Sequence, residues 1–182
     1  MRIPLAASLT ILAACLVTAA FLSGCQPEKP VPAPERPLRD LVRQAEDALE
    51  AENYARATNL FGEALEREEL SGSARVRVLR GLSRSALQSG DFDLARRGLR
   101  QWQVLEPGAP RSREWQKIKS GLIKAEEGPQ AYASHLSDLL DPMQPWPVRF
   151  YAGKVLTRHY EQRGELEKML GAQRKLLEVA KE

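Results

Sequence analysis

Four breaks in an otherwise helical pattern, at Glu52-Asn53, Gly90-Asp91, Gly128-Pro129 and Gly164-Glu165, recur at steps of 38, 38 and 36 residues. A step of that size holds one helix-turn-helix unit. Its repetition is the signature of a solenoid, in which each unit buries its apolar face against the next. Between the breaks, apolar residues recur at three- and four-residue steps: Leu41, Ala45, Ala48, Leu49; then Ala57, Leu60, Phe61, Ala64, Leu65; then Val78, Leu79, Leu82, Ala86. That spacing gathers them on one side of an α-helix. No stretch after residue 37 alternates apolar and polar residues with the β-branched density of a strand. Longer breaks at Leu70-Ser71-Gly72-Ser73, at Pro107-Gly108-Ala109-Pro110 and from Asp141-Pro142 to Pro147 separate the units. The expected fold is all-α, eight helices in four hairpins over residues 38–182, with Asn53, Ser73 and Asp91 as N-caps.

Two of the hairpins carry a more specific pattern. Asn53-Tyr54-x-x-Ala57-x-x-x-Phe61-x-x-Ala64-Leu65, and Gly90-Asp91-Phe92-x-x-Ala95-x-x-x-Leu99 closing on Leu105-Glu106-Pro107, resemble second helices of tetratricopeptide repeats. The resemblance implies a division of labour. The aromatic plugs the hairpin, the alanine lets two helices approach closely, and the later large residue packs on the next repeat. In the third hairpin Gly128-Pro129 leads to Ala133 without the aromatic, and in the fourth Leu166, Met169, Gln173 and Leu176 take the corresponding places. The step exceeds the family's period of about 34, so two to four extra residues sit between hairpins.

The N-terminus points to a compartment. Arg2 precedes an apolar stretch over residues 5–22 relieved only by Ser8, Thr10 and Thr18, the layout of a secretory signal. Leu22-Ser23-Gly24-Cys25 resembles the lipobox of bacterial lipoproteins, which implies a cleaved signal peptide at 1–24 and acylation of Cys25. Leu12-Ala13-Ala14-Cys15 is a second, weaker match, and cleavage there would leave an apolar stub. The other reading is an uncleaved anchor, since about 18 apolar residues just span a bilayer. Residues 25–37 hold Pro27, Pro30, Pro32, Pro34 and Pro37, which predicts an extended tether rising about 3.1 Å per residue. Cys15 and Cys25 are the only cysteines, so the helical part can form no disulfide within the chain. By the lipoprotein resemblance, Gln26 rather than aspartate after the lipidated cysteine implies an outer-membrane location facing the periplasm.

Catalytic chemistry is not expected. His135 and His159 are the only histidines, 24 residues apart on different hairpins, whereas a zinc site needs about four convergent ligands. They read as structural residues, and no metal or cofactor is expected. The Gly-x-Ser-x-Gly, phosphate-loop and His-Glu-x-x-His patterns are absent. Trp102, Trp115, Trp146, Tyr54 and Phe61 read as core or loop anchors rather than a ligand cage.

Charge is unevenly placed. Residues 35–70 carry five basic and ten acidic side chains, residues 71–124 twelve and four, and residues 125–182 eight and nine. Arg77, Arg80 and Arg84, spaced three and four apart, share one helix face. In tetratricopeptide repeats the first helix of each hairpin lines the concave groove. The resemblance therefore places these three arginines there, as a candidate site for an acidic peptide or a terminal carboxylate of an envelope protein. A second reading is a solvated basic face that keeps the protein soluble or pairs with the acidic first hairpin. Nucleic acid is not an expected partner.

The final helix carries Leu166, Met169, Leu170, Leu176, Leu177 and Ala180, more apolar residues than one packing face uses, which marks a surface for self-association or a partner. The overall expectation is a lipid-anchored periplasmic interaction scaffold of envelope biogenesis, in outer-membrane, pilus or cell-wall assembly. The alternatives are a self-associating envelope spacer, or the helical region of a lipoprotein similar to penicillin-binding-protein activators.

Overall fold

In the computed structural model, which describes residues 36–181, the four recurring breaks are four left-handed turns. Glu52, Gly90, Gly128 and Gly164 have φ of 56°, 85°, 88° and 69°. Each closes a hairpin: α1 (Leu38–Glu50) with α2 (Tyr54–Leu65), α3 (Gly72–Ser89) with α4 (Phe92–Leu105), α5 (Arg113–Glu126) with α6 (Gly128–Asp138), and α7 (Trp146–Gln162) with α8 (Leu166–Ala180). The fold is all-α, as the periodicity predicts, with no strand among the described residues. None of these helices is long and apolar enough to cross a membrane. The signal segment, the lipobox with Cys25 and the proline-rich tether up to residue 35 lie outside the described residues.

Local chemistry sets several helix starts. Asn53 Oδ1 accepts the Arg56 amide at 3.3 Å, and Asp91 Oδ1 accepts the Leu94 amide at 3.0 Å. Each satisfies a first-turn donor that the helix cannot. Ser73 does not do the same. Left-handed Gly72 begins α3 one residue earlier, so Ser73 falls inside the first turn and Ser71 stands at the cap position without a side-chain bond. Ser112 supplies a cap the sequence reading lacked, accepting the Trp115 amide at 3.2 Å after a 3-10 turn at Ala109–Arg111.

Stacking follows from helices with two apolar faces. On α3, Val78 and Leu82 join a core with Leu41, Ala45, Ala57 and Phe61, while Leu79 and Ala86 join a second core with Ala95, Leu99, Trp102, Ile118 and Leu122. A third core unites Ile123 of α5 with Tyr132, Leu136, Val148, Leu156 and Ala172. The first helices of successive hairpins also touch, α1 with α3, α3 with α5 and α5 with α7, which makes them one layer. Phe61 meets α3 over Gly81, where a side chain would collide with the ring.

Two expectations about aromatic and apolar residues need adjustment. Phe61 and Trp102 are buried and Tyr54 and Trp115 half-buried, but Trp146 is 44% exposed. It sits in the first turn of α7, stacked on Phe150 at 4.9 Å, and its indole N–H donates to the Val179 carbonyl at 2.8 Å. On α8, Ala172 and Val179 are the buried residues and Met169 and Leu176 are half-buried, while Leu166, Leu170 and Leu177 face outward.

Candidate anion-binding groove

Arg77, Arg80 and Arg84 alternate along α3 with the buried residues Val78, Leu79 and Leu82. A helix that sends those three inward sends the arginines to its exposed side. Because α1 and α5 flank α3, that side becomes the floor of a cleft of about 590 Å³. All three arginines line it, together with Glu46 of α1, Glu114 and Lys117 of α5, and apolar patches of Leu49, Leu87 and Ile118.

The structure brings the three arginines together and then divides them by partner. Arg77 forms a two-pronged pair with Glu46, Nε to Oε1 at 2.6 Å and Nη2 to Oε2 at 2.5 Å. That hydrogen bond, and the attraction behind it, hold the Arg77 pKa above its usual value. Arg80 pairs with Glu114, and its guanidinium lies 5.3 Å from the centroid of the Trp102 ring, a cation–π contact. Arg84 and Lys117 have no carboxylate partner among the described residues. Partial desolvation on the cleft wall pushes the Lys117 ammonium below its usual pKa, and repulsion from Arg113 and Arg84 adds to the shift.

The cleft thus holds two neutralised cations at one end and a crowd of like charges at the other. An incoming carboxylate at Arg84 and Lys117 would relieve that repulsion and accept charge-assisted hydrogen bonds from both. The apolar patches beside them can cover a nonpolar side chain of the same ligand.

Pairing with the acidic first hairpin therefore accounts for Arg77 but not for Arg80, whose partner is on α5, or for Arg84, whose exposure fits a solvated face as well as a binding one. Sequence reasoning missed Lys117, Glu46, Glu114 and the Trp102 contact. Arg80 to Lys117 and Arg77 to Glu114 are both 37 residues, one short of the 38-residue step from Gly90 to Gly128, so the repeat alone points to Ile118 and Trp115 rather than to these two.

The histidines lie elsewhere. His135 and His159 are half-buried, and burial lowers the pKa of each. His159 meets Tyr132 edge-on at 5.5 Å. Among the described residues no group of three His, Cys, Asp or Glu side chains is placed to hold a metal ion. No protein-family model matches the chain, and no curated protein has a significant match to it.

Proposed function

We propose that this chain is a lipid-anchored, tetratricopeptide-like interaction scaffold of the bacterial envelope. In this proposal its groove holds an acidic segment or the carboxyl terminus of a partner protein. The observation that carries it is the pair Arg84 and Lys117, two cations without carboxylate partners in a cleft whose other cations are already paired. The layer of first helices, the full burial of Ala57 and Ala95, and the seating of Phe61 on the next hairpin agree with the tetratricopeptide resemblance. The protein acts by binding. Cys25 carries the lipid, the proline-rich segment stands the helices off the membrane, and the groove faces the periplasm.

Fluorescence anisotropy with acidic peptides, each made with a free and an amidated C-terminus, tests the groove. Both cations are exposed, so each is worth only the modest energy of a screened pair. Replacing both by alanine should weaken binding by about two- to thirtyfold. Added salt should weaken the parent more than the variant. Equal affinity at all salt concentrations would refute the groove as the binding surface, and a preference for the free terminus would separate carboxylate capture from general acidic binding. The anchor is tested on its own. Labelled fatty acid should enter the parent and not Cys25→Ser, and persistent label on that variant would move the assignment to Cys15.

A further inference from the structure

The last helix carries a second surface, independent of the groove. Leu166, Leu170 and Leu177 are 65%, 48% and 61% exposed. With Gln173 and Ala180 they recur at alternating steps of four and three, the seam spacing of a two-stranded coiled coil. The buried residues of α8, Ala172 and Val179, point away from this seam, so the hairpin's own core does not use it. In the first two hairpins the position equivalent to Gln173 is covered by the next helix. Phe61 lies on Gly81, and Leu99 packs with Ile118 and Leu122. Gln173, at the equivalent place, is exposed.

Charges beside the seam select an occupant. Glu167 and Arg174 stand on one flank, seven residues apart, both exposed and both without an ion-pair partner among the described residues. We propose that two copies of this chain pair antiparallel through α8 about a two-fold axis near Gly171 and Ala172. In that register Leu166 meets the partner's Leu177, Leu170 meets the partner's Gln173, and Glu167 meets the partner's Arg174. Symmetry makes each contact twice. A parallel pair instead sets Arg174 against the partner's Met169, so the charges find no opposite and the antiparallel arrangement wins.

Sedimentation velocity of the full chain in density-matched detergent tests the pairing. The parent should dimerise, and Leu170→Asp with Leu177→Asp should be monomeric. Both side chains are solvent-facing in the single chain, so an unchanged helical circular-dichroism spectrum is the expected control, with a melt lowered only by the lost dimer linkage. Glu167→Arg alone and Arg174→Glu alone should each weaken the dimer by about fivefold or more, because either leaves like charges opposed across the axis. The double reversal should restore affinity to within about twofold of the parent. A parent that stays monomeric up to about 100 μM, a dimer indifferent to the two aspartates, or a double reversal no better than the singles would overturn the proposal.

Discussion

Phe61 of α2 lies against the bare backbone of Gly81 on α3, so close that a methyl group at residue 81 would come within 2.4 Å of the ring's Cζ. Phe61 is 1% exposed and shares its core with Leu41, Val78 and Leu82, so moving the ring disturbs packed neighbours. Gly81→Ala should therefore destabilise the fold by about 1 to 3 kcal/mol, although alanine in a helix interior ordinarily gains about 0.5 to 1 kcal/mol over glycine. In a Phe61→Ala background, itself about 3 to 5 kcal/mol less stable, the same change should become neutral or favourable. Urea denaturation of the four proteins measures the coupling. Additive effects would show that the two residues do not compete for the same space.

Ala57 and Ala95 are fully buried, one in each of the first two cores. Leucine at either position adds three carbons to a packed helix pair and should cost on the order of 1 to 3 kcal/mol. Thermal melts report it, and unchanged midpoints for both variants would argue against close helix approach at these positions.

Glu52 and Gly90 hold the same turn position in successive hairpins with φ of 56° and 85°, but only one is a glycine. A side chain in the left-handed region costs about 1 to 2 kcal/mol. Glu52→Gly should accordingly stabilise the protein by about 0.5 to 1 kcal/mol, after the greater chain entropy of glycine in the unfolded state is counted. Gly90→Ala should destabilise it by a comparable amount. Equal and opposite shifts in the denaturation midpoint are expected, and a destabilised Glu52→Gly would mean that the glutamate side chain has a stabilising role of its own.

Arg80 is held by Glu114 across the groove. Glu114→Gln removes the competing carboxylate while keeping the side-chain volume, which frees Arg80 to join Arg84 and Lys117. Affinity for an acidic peptide should rise by about two- to fivefold, and stability should change by less than about 1 kcal/mol because the pair is exposed. A fall in affinity would place Glu114 among the residues that contact the peptide.

Burial, with a contribution from Tyr151, raises the Tyr132 hydroxyl from 10.0 to about 12. Between those values the unfolded chain has released the proton and the folded chain keeps it, so rising pH favours unfolding. The stabilisation is complete below about pH 10 and is lost as pH climbs to about 12. Its full extent is on the order of 1 to 3 kcal/mol. Tyr132→Phe should flatten the alkaline limb of a pH series of urea denaturations while leaving the neutral region nearly unchanged.

The positions of the hairpins were legible because turn formation is local. A left-handed residue separates two helices, the second beginning at that residue, as at Gly128, or two residues on, as after Gly90 and Gly164, and the three glycines record that requirement directly in the sequence. The burial of Leu41, Ala57, Phe61, Val78 and Leu82 was legible for a related reason, since helical periodicity assigns them one side before any packing is known. Ser73 was misread because Gly72 in a left-handed conformation can begin the helix, and nothing in the letter G distinguishes that from a plain turn.

The groove divides along the same line. That Arg77, Arg80 and Arg84 share a face is a property of one helix, and the sequence alone determined it. Which of them remains available to a ligand was decided by Glu46, 31 residues before Arg77, and by Glu114, 34 residues after Arg80. An ion pair needs contact within a few ångströms. Carboxylates on α1 and α5 reach that range only once the hairpins have stacked, so tertiary structure, and not the helix that carries the arginines, singles out Arg84 and Lys117.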